Sequence, residues 1–358
     1  MTLNPLDNIK KISKTDSSNM IGSINLLPKQ ITQTWEEMNQ WKIPTSYQKV
    51  NKVIINGMGG SGLGAHIVQS VFFNQLKIPL GKIHSYSLPG TVDNKTLYII
   101  SSYSGSTEEP LATIKSALAK KAKIFAISTG SKLGQMIRSN QIHGYLFDPK
   151  YNPCKQPRIA IGYSVTAIFK ILEKCNLIKI NQQQIKKIIN NLETQKTKLW
   201  LQNSFKSNLA KQAATKIKNK IAIVIAAEFL SGNAHTMANQ INENSKNFSS
   251  YFIISELNHH LMEGLKYPKS NPKNLHFIFF NSSLYHPKNK LRIKITQDIL
   301  KQNHINFDEI NLIQTTKLEQ SFEMLQLGSY ISFYASILNG LDPSPIPWVD
   351  YFKKQLSK

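Results

Sequence analysis

Short apolar runs alternate with amphipathic stretches in two separate parts of the chain. In the first part, the pattern predicts strands at residues 52–56, 82–87, 96–101, 123–128 and 142–147. Helices are predicted at residues 28–40, 61–73 and 108–120. Apolar runs without polar alternation are typical of strands that are buried on both faces. Their alternation with helices therefore predicts a parallel sheet between two helical layers.

The same rhythm returns in the second part. Strands are predicted at residues 221–227, 251–254, 275–280 and 309–313. Helices are predicted at residues 233–245, 288–302 and 321–338, and a last helix follows the DPSP turn at 342–345. Between the two parts, apolar residues recur at helical spacing in a stretch rich in Lys, Gln and Asn, for example at Ile185, Ile188, Ile189 and Leu192.

These patterns predict an α/β protein with two doubly wound parallel-sheet domains joined by a helical linker. The predicted boundaries are 1–164 for an N-terminal segment plus the first domain, 165–220 for the linker, and 221–358 for the second domain with its C-terminal helix.

Composition restricts the partners. Lys and Arg total 44 against 21 Asp and Glu, which gives a formal net charge of +23. The lysines are spread along the chain without a basic block, and no nucleic-acid-binding motif occurs, so no specific nucleic acid partner is predicted. The three arginines are Arg138, Arg158 and Arg292. In a chain that otherwise uses lysine, they mark places where a planar, permanently charged group is needed.

Other features predict a cytoplasmic protein without a metal or cofactor. No apolar stretch approaches the roughly 20 residues of a membrane span, and the N-terminus lacks an apolar signal core. Cys154 and Cys175 form no CxxC pair, and the nine histidines show no HxH or HExxH spacing.

A glycine-rich loop follows the first strand. Residues 57–62 read GMGGSG, which satisfies G-x-G-x-x-G between a strand and a helix. A dinucleotide site would need an acidic residue about 20 positions later, and residues 72–92 contain none. The loop therefore predicts an anion site at a helix N-terminus, formed by Gly59, Gly60 and Ser61. Ser61 could alternatively cap the helix.

A second loop of this kind follows the strand at 96–101. It places four hydroxyl groups at a predicted helix start, those of Ser102, Ser104, Ser106 and Thr107. Ser106 and Glu109 could form a capping box, but the other three hydroxyls have no such explanation. Several hydroxyl donors at a helix N-terminus are typical of a phosphate site. Because the loop has no lysine, we expect a sugar phosphate monoester rather than a nucleotide triphosphate.

These two loops resemble the signature loops of SIS (sugar isomerase) domains, and more closely those of the bifunctional phosphoglucose/phosphomannose isomerases. The likeness runs from about residue 50 to the end. Four further stretches carry it: PRIAIGYS at 157–164, NQINENSK at 239–246, SELNHH at 255–260, and the C-terminal segment GLDPSPIPWVDYFKKQL. The sequence departs from the family pattern at Ser106, at Ala65-His66 and at His260-Leu261.

The resemblance implies two SIS domains and an isomerase that acts on hexose 6-phosphates through an enediolate. By this resemblance Glu243 is the base, and His259, contributed by the partner subunit of a homodimer, opens the sugar ring. Arg158 stabilises the oxygen that gains charge, and Lys353, or alternatively Lys354, assists ring opening.

Two alternatives stay open from the sequence. A SIS domain that binds a sugar phosphate without turnover keeps the serine loops but needs no base. An amidotransferase-type sugar isomerase usually carries a glutaminase domain, and no N-terminal cysteine nucleophile is present.

Overall fold

The computed structural model describes residues 4–356, and its first half is built on a five-stranded parallel sheet. The strands are β1 (Lys52–Gly57), β2 (Leu80–Ile83), β3 (Thr96–Ser101), β4 (Lys123–Ser128) and β5 (His143–Leu146). Their order across the sheet is β2-β1-β3-β4-β5. Every residue of β3 is buried, as the unbroken apolar run predicts for a strand covered on both faces.

Seven α-helices lie within residues 4–174. They are α1 (Ile9–Thr15), α2 (Met20–Asn25), α3 (Leu27–Asn39), α4 (Gly59–Val71), α5 (Glu108–Ala119), α6 (Ser131–Arg138) and α7 (Ile161–Lys174). Helix α7 is buried from Ile161 to Leu172, because it packs against α3 and α4 inside the molecule. The side chains of Leu6, Ile12 and Met20 pack in the hydrophobic core of the second half.

Two helices, α8 (Gln182–Leu199) and α9 (Leu209–Lys216), follow α7. Helix α8 begins at a capping box, in which the side chains of Asn181 and Gln184 each accept a hydrogen bond from the other residue's backbone N–H. The apolar residues Ile185, Ile188 and Leu192 are buried in the core of the first half. The division of the chain at 164 and 220 remains a prediction.

The second half is built on a four-stranded parallel sheet. Its strands are β6 (Ile221–Ala227), β7 (Ser249–Ile254), β8 (Leu275–Asn281) and β9 (Asn306–Asn311), in the order β7-β6-β8-β9. Its helices are α10 (Ser231–Gln240), α11 (Asn271–Asn274), α12 (Pro287–Gln302), α13 (Lys317–Leu338) and α14 (Pro347–Leu356). This order repeats the β2-β1-β3-β4 order of the first sheet, so the predicted class of two doubly wound parallel-sheet units is confirmed.

Helices α4 and α10 pack against each other and join the two halves. Gly232 permits this approach, because a Cβ at this position would lie 2.3 Å from the backbone carbonyl carbon of His66. Helix α10 ends at Gln240, and a π-helical turn, Ile241–Ser245, continues it where the sequence pattern predicts uninterrupted helix to 245. None of the helices within residues 4–356 is long and apolar enough to cross a membrane.

Candidate active site

The glycine loop lies at the carboxyl end of β1, where α4 begins. Gly59 has a φ of +48°, a conformation that a side chain rarely adopts. A Cβ on Gly60 would lie 2.5 Å from the backbone nitrogen of Arg158, so this glycine brings the two segments into contact. The start of α4 therefore presents backbone with little side-chain cover, as an anion site at a helix N-terminus requires.

Ser61 lies inside α4, and α4 has no side-chain cap. Its hydroxyl oxygen accepts a hydrogen bond of 2.8 Å from the N–H of Tyr103, and its carbonyl accepts one of 2.7 Å from the hydroxyl of Ser101. The capping alternative for Ser61 is therefore wrong. Its hydrogen bonds instead tie the glycine loop to the serine loop.

The serine loop connects β3 to α5. The hydroxyls of Ser102 and Thr107 are 2.8 Å apart, and those of Ser104 and Ser106 are 3.0 Å apart. Thr107 stands at the N-cap of α5, but no side chain caps this helix, so the capping box expected of Ser106 and Glu109 does not form. Ser104 and Ser106 are exposed. These hydroxyls hydrogen-bond within the loop and can be redirected to a ligand.

Arg158 is the most strongly fixed side chain of the site, and none of it is exposed. Its guanidinium donates five hydrogen bonds of 2.6–3.3 Å to Asn244 Oδ1, Gln156 Oε1, Glu243 Oε2, and the carbonyls of Pro343 and Ser344. Burial lowers the pKa of Arg158, and the charge of Glu243 opposes that shift. Arg158 thus connects the first half to the π-helical turn and to the DPSP segment.

Glu243 lies on the π-helical turn, and 27% of its side chain is exposed. Its carboxylate is 3.3 Å from Nη1 of Arg158. Burial raises the pKa of Glu243, while the charges of Arg158 and Lys353 act in the opposite direction. A carboxylate whose burial favours the protonated form is a stronger base than an exposed one.

The residues beside Glu243 fix the turn. Asn242 Nδ2 donates to the carbonyls of Ala238 and Ser249, and Asn244 Nδ2 donates to the hydroxyl of Ser332. A π-helical turn often marks a functional site. Here it points a carboxylate towards a buried guanidinium.

Lys246 lies close to Glu243 in the sequence, but its ammonium contacts backbone carbonyls. Its ammonium donates to the carbonyls of Asn244, Asp342 and Pro343. Burial lowers the pKa of Lys246 to about 8. The ion pair of Glu243 is with Arg158 and not with Lys246.

Lys353 and Lys354 lie on the exposed helix α14. The charge of Lys353 lowers the pKa of Glu243, so this lysine acts electrostatically on the site.

His259 ends the short helical turn Glu256–His259 that follows β7, and its side chain is exposed. Within residues 4–356 it makes no hydrogen bond to Glu243, to Arg158 or to either loop. A single chain therefore brings together the two loops, Arg158, Glu243 and Lys353, but leaves His259 facing outward.

Two contributors were missed by sequence reasoning. Gln156 accepts a hydrogen bond from Arg158, and the DPSP segment supplies the carbonyls of Pro343 and Ser344. The DPSP segment is recognisable as a helix breaker. Its sequence does not indicate that the carbonyl of Pro343 accepts a hydrogen bond from an arginine 185 residues earlier. Only the tertiary fold reveals this contact.

The chain has clear relatives among known proteins. Residues 206–356 match the family model of the bacterial phospho-glucose isomerase C-terminal SIS domain. A bifunctional phosphoglucose/phosphomannose isomerase from Caldicellulosiruptor bescii is 33% identical over 344 residues, which cover 95% of this chain and 99% of that protein. A protein of the same description from Aquifex aeolicus is 25% identical over 307 residues, which cover 86% of this chain and 90% of that one.

A solved structure shares the fold. The crystal structure of a hypothetical protein from Thermus thermophilus is similar with a TM-score of 0.76. The similarity covers 98% of this chain and 93% of that one at 13% sequence identity. The arrangement of two sheets is thus shared at a level of identity that carries information about the fold alone.

Proposed function

The chain belongs to the bifunctional phosphoglucose/phosphomannose isomerase family, and from this membership we propose that it interconverts glucose 6-phosphate and mannose 6-phosphate with fructose 6-phosphate. The observation that carries the proposal is the half-buried carboxylate of Glu243, which lies 3.3 Å from a buried, fully hydrogen-bonded guanidinium. Isomerisation needs such a base, together with a stable positive charge near the developing anion.

The substrate phosphate binds where the two loops meet. Gly59, Gly60 and Ser61 supply a helix N-terminus, and the serine loop supplies hydroxyl donors. The hydrogen bond between Ser61 and Tyr103 supports this assignment, because it holds the two loops together. A phosphate with several donors around three oxygens is anchored at C6, which leaves C1 and C2 free to reach Glu243.

Proton transfer follows from this placement. In the open aldose, Glu243 removes the proton from C2, and the electron pair of the broken bond forms the double bond between C1 and C2. The former carbonyl oxygen O1 gains negative charge and takes a proton. The proton on Glu243 then returns to C1 while O2 loses its own proton, and the ketose results.

Arg158 acts mainly through its fixed charge. All five of its N–H groups already have acceptors, so a substrate oxygen must replace Glu243 or Gln156 at Nη1 to touch it directly. A buried cation at this distance stabilises an enediolate without moving, because its orientation is set before the substrate arrives.

We further propose a homodimer in which His259 of one subunit serves the site of the other. The outward position of His259 supports this arrangement, and so does helix α14, which exposes Trp348 and Phe352 by 82% and 61%. Large exposed apolar patches are typical of protein interfaces. In the shared site, His259 passes a proton between O1 and O5 and opens the ring before Glu243 acts.

The sugar-phosphate sensor is less well supported. A binding module needs the loops, but it does not need a carboxylate whose pKa is raised by burial beside an arginine with no exposed surface. Perturbed carboxylates of this kind are typical of catalytic sites.

The test is direct. The purified protein is treated with EDTA and incubated with fructose 6-phosphate, and the sugar products are resolved by NMR. The proposal requires glucose 6-phosphate and mannose 6-phosphate to form. Binding of fructose 6-phosphate without either product would favour the sensor.

A further inference from the structure

A second cavity, of about 650 Å³, lies between the two halves of the molecule and away from Arg158 and Glu243. Its walls include the loop after β6 at Glu228 and Phe229, the start of α13 at Lys317, and the end of α4 with residues 73–75. Strands β2 and β7 also contribute, through Lys82 and Tyr251. Nothing in the proposed isomerase reaction uses this cavity.

The cavity is the pseudo-symmetric counterpart of the active site. The active site is formed by the loop after β1, the turn before α7 at Arg158, and the segment after α10 at Glu243. Since α4 and α10 pack together, each helix begins at one of the two sites and ends at the other. The repeat extends to the backbone, because Gly59, which follows β1, and Glu228, which follows β6, both have a φ of +48°.

In the counterpart, the place of the phosphate is already filled. Glu228 Oε1 accepts hydrogen bonds of 2.7 Å from the N–H of His286 and 2.8 Å from Nδ2 of Asn289. These donors lie at the start of α12, which follows β8 as α5 follows β3. The carboxylate of Glu228 therefore stands at a helix N-terminus as a built-in anion.

Positive charge remains elsewhere in the cavity. Lys82 and Lys317 both line it, and within residues 4–356 neither is in an ion pair with a carboxylate. The Lys82 ammonium is 2.9 Å from Nδ1 of His66, and burial lowers the pKa of Lys82. Two cations without a carboxylate partner in a partly enclosed space favour an anionic occupant.

Aromatic and amide side chains complete the wall. Phe229, Tyr251, Gln69 and Gln75 line the same space. The cavity size lies within the range that is usual for small-molecule sites. An apolar surface with a few polar groups fits the body of an organic ligand better than a bare ion.

We propose that this cavity is a second ligand site, which binds a small organic anion whose carboxylate or phosphate contacts Lys82 and Lys317 and whose body packs against Phe229 and Tyr251. The site does not depend on the isomerase activity, because none of these residues contacts Glu243 or Arg158.

The cavity is also connected to the glycine loop. Lys82 Nζ lies 2.9 Å from His66 Nδ1, His66 Nε2 lies 3.4 Å from His84 Nε2, and His84 Nδ1 lies 2.7 Å from the carbonyl oxygen of Gly57. One assignment of protons satisfies all three contacts: Lys82 donates to His66, His66 donates to His84, and His84 donates to Gly57. A ligand anion that attracts Lys82 thus alters a hydrogen-bond chain that ends at the first glycine of the loop.

The site can be located with selenate as an anomalous scatterer. Crystals of the full chain are soaked in selenate, first alone and then with fructose 6-phosphate to occupy the active site. We expect an anomalous peak between Lys82 and Lys317 in both soaks. A peak at the serine loop alone would overturn the proposal.

Citrate serves as the probe in solution, and its affinity is measured by calorimetry while the histidine side-chain NMR signals are followed. Lys317→Met and Lys82→Met should each weaken binding about tenfold or more, whereas Lys317→Arg should retain it. Lys115→Met and Lys186→Met, at exposed positions on α5 and α8, are matched controls for the change in net charge.

The NMR signals of His66 should shift with citrate in the wild type. The Ser104→Ala, Thr107→Ala double variant should show the same shift, because the active-site loop is not involved. Equal citrate affinity in Lys317→Met and the wild type, with both proteins folded by thermal unfolding, would overturn the assignment. These readouts measure binding, so they separate this proposal from the isomerase activity.

Discussion

After the corresponding strands β1 and β6, the two halves of the molecule share a backbone conformation but place different residues in it. Gly59 in the first half leaves the start of a helix open, whereas Glu228 in the second half puts a carboxylate at one. Both have a φ of +48°. The difference teaches that one topology can leave a helix N-terminus open or place its own carboxylate there, depending on one side chain.

The two corresponding sites also differ in the side chains that line them. The segment that follows α10 carries Glu243, while the corresponding segment after α4 carries the amides of Asn74 and Gln75. The turn before α7 carries a buried arginine, and the start of α13 carries Lys317, which is half-buried. Of these two sites, the one at the glycine loop therefore combines a carboxylate with a fixed cation, and its counterpart does not.

The largest expected effect tests that asymmetry. Glu243→Gln should lower kcat by about 10²–10⁴-fold, because a positioned general base is worth that much. Binding of fructose 6-phosphate should persist. Steady-state kinetics and calorimetry check both expectations, with Glu36→Gln, at an exposed position on α3, as the control for charge. An unchanged kcat would show that a residue other than Glu243 is the base.

Mixing subunits tests whether a second chain completes the site. Glu243→Gln and His259→Ala proteins are each expected to be nearly inactive alone. In a mixed dimer, one of the two sites has both groups intact, so roughly a quarter of the wild-type activity should return when subunits exchange at random. Differentially tagged subunits verify that mixed dimers form. Mixed dimers that remain inactive would refute a site shared between subunits.

A comparison of the two serine-bearing loops tests where phosphate binds. Ser104→Ala with Thr107→Ala should raise KM by roughly 10–100-fold, since two hydrogen bonds are lost and each contributes about 0.5–1.5 kcal/mol net. A smaller fall in kcat should accompany it, because the phosphate positions the sugar. Ser283→Ala, in the corresponding loop after β8, should leave KM unchanged. Equal effects in both halves would contradict the assignment.

The sequence predicts those features of the site that depend on neighbouring residues. Gly59, Gly60 and the serine loop are recognisable because a strand, a loop and a helix start follow one another within a few residues. The bond from Arg158 to Asn244 joins residues 86 positions apart, and no local pattern contains it. The same holds for Glu228 and His286, whose contact depends on how β6 and β8 pair.

The end of helix α10 and the packing of the N-terminal helices also could not be predicted from local sequence. The apolar pattern predicts that helix α10 reaches residue 245 because it continues through Ile241, and this pattern does not separate an α-helix from a π-helical turn. Likewise, the apolar residues Ile12 and Met20 indicate that the N-terminal helices pack somewhere. They do not indicate that these helices pack in the core of the second half.

The histidines between the halves predict a dependence of stability on pH. Burial lowers the pKa of His66 to about 3, helped by the charges of His235, Lys82 and His84, and burial lowers that of His235 to about 4. Both values lie below the unfolded value of 6.5, so the unfolded chain binds more protons in this range. Stability should therefore be complete above pH 6.5 and fall as the pH drops towards 4.

Urea unfolding at a series of pH values measures this effect. Each unfolded-state proton contributes about 1.4 kcal/mol per pH unit to the slope. His66→Gln should reduce the slope between pH 6 and 4 by about 1.4 kcal/mol per pH unit, the contribution of one proton. An equal slope in wild type and His66→Gln would show that His66 does not titrate in this way.

The smallest expected effect concerns the shared conformation itself. At a φ of +48°, a residue with a Cβ is strained by about 1 kcal/mol relative to glycine. Gly59→Ala should lower the free energy of unfolding by about that amount, because the added Cβ meets no atom within 4 Å and only the backbone is strained. The same preference for glycine is expected in the second half: Glu228→Gly should be about 1 kcal/mol more stable than Glu228→Ala, since both lose the carboxylate but only glycine relieves the strain. Urea unfolding of the four proteins, with equal m values, measures both differences. If Glu228→Ala and Glu228→Gly had the same free energy of unfolding, the positive φ at position 228 would carry no strain. The two halves would then correspond in strand order and backbone conformation, but not in the energy of this turn.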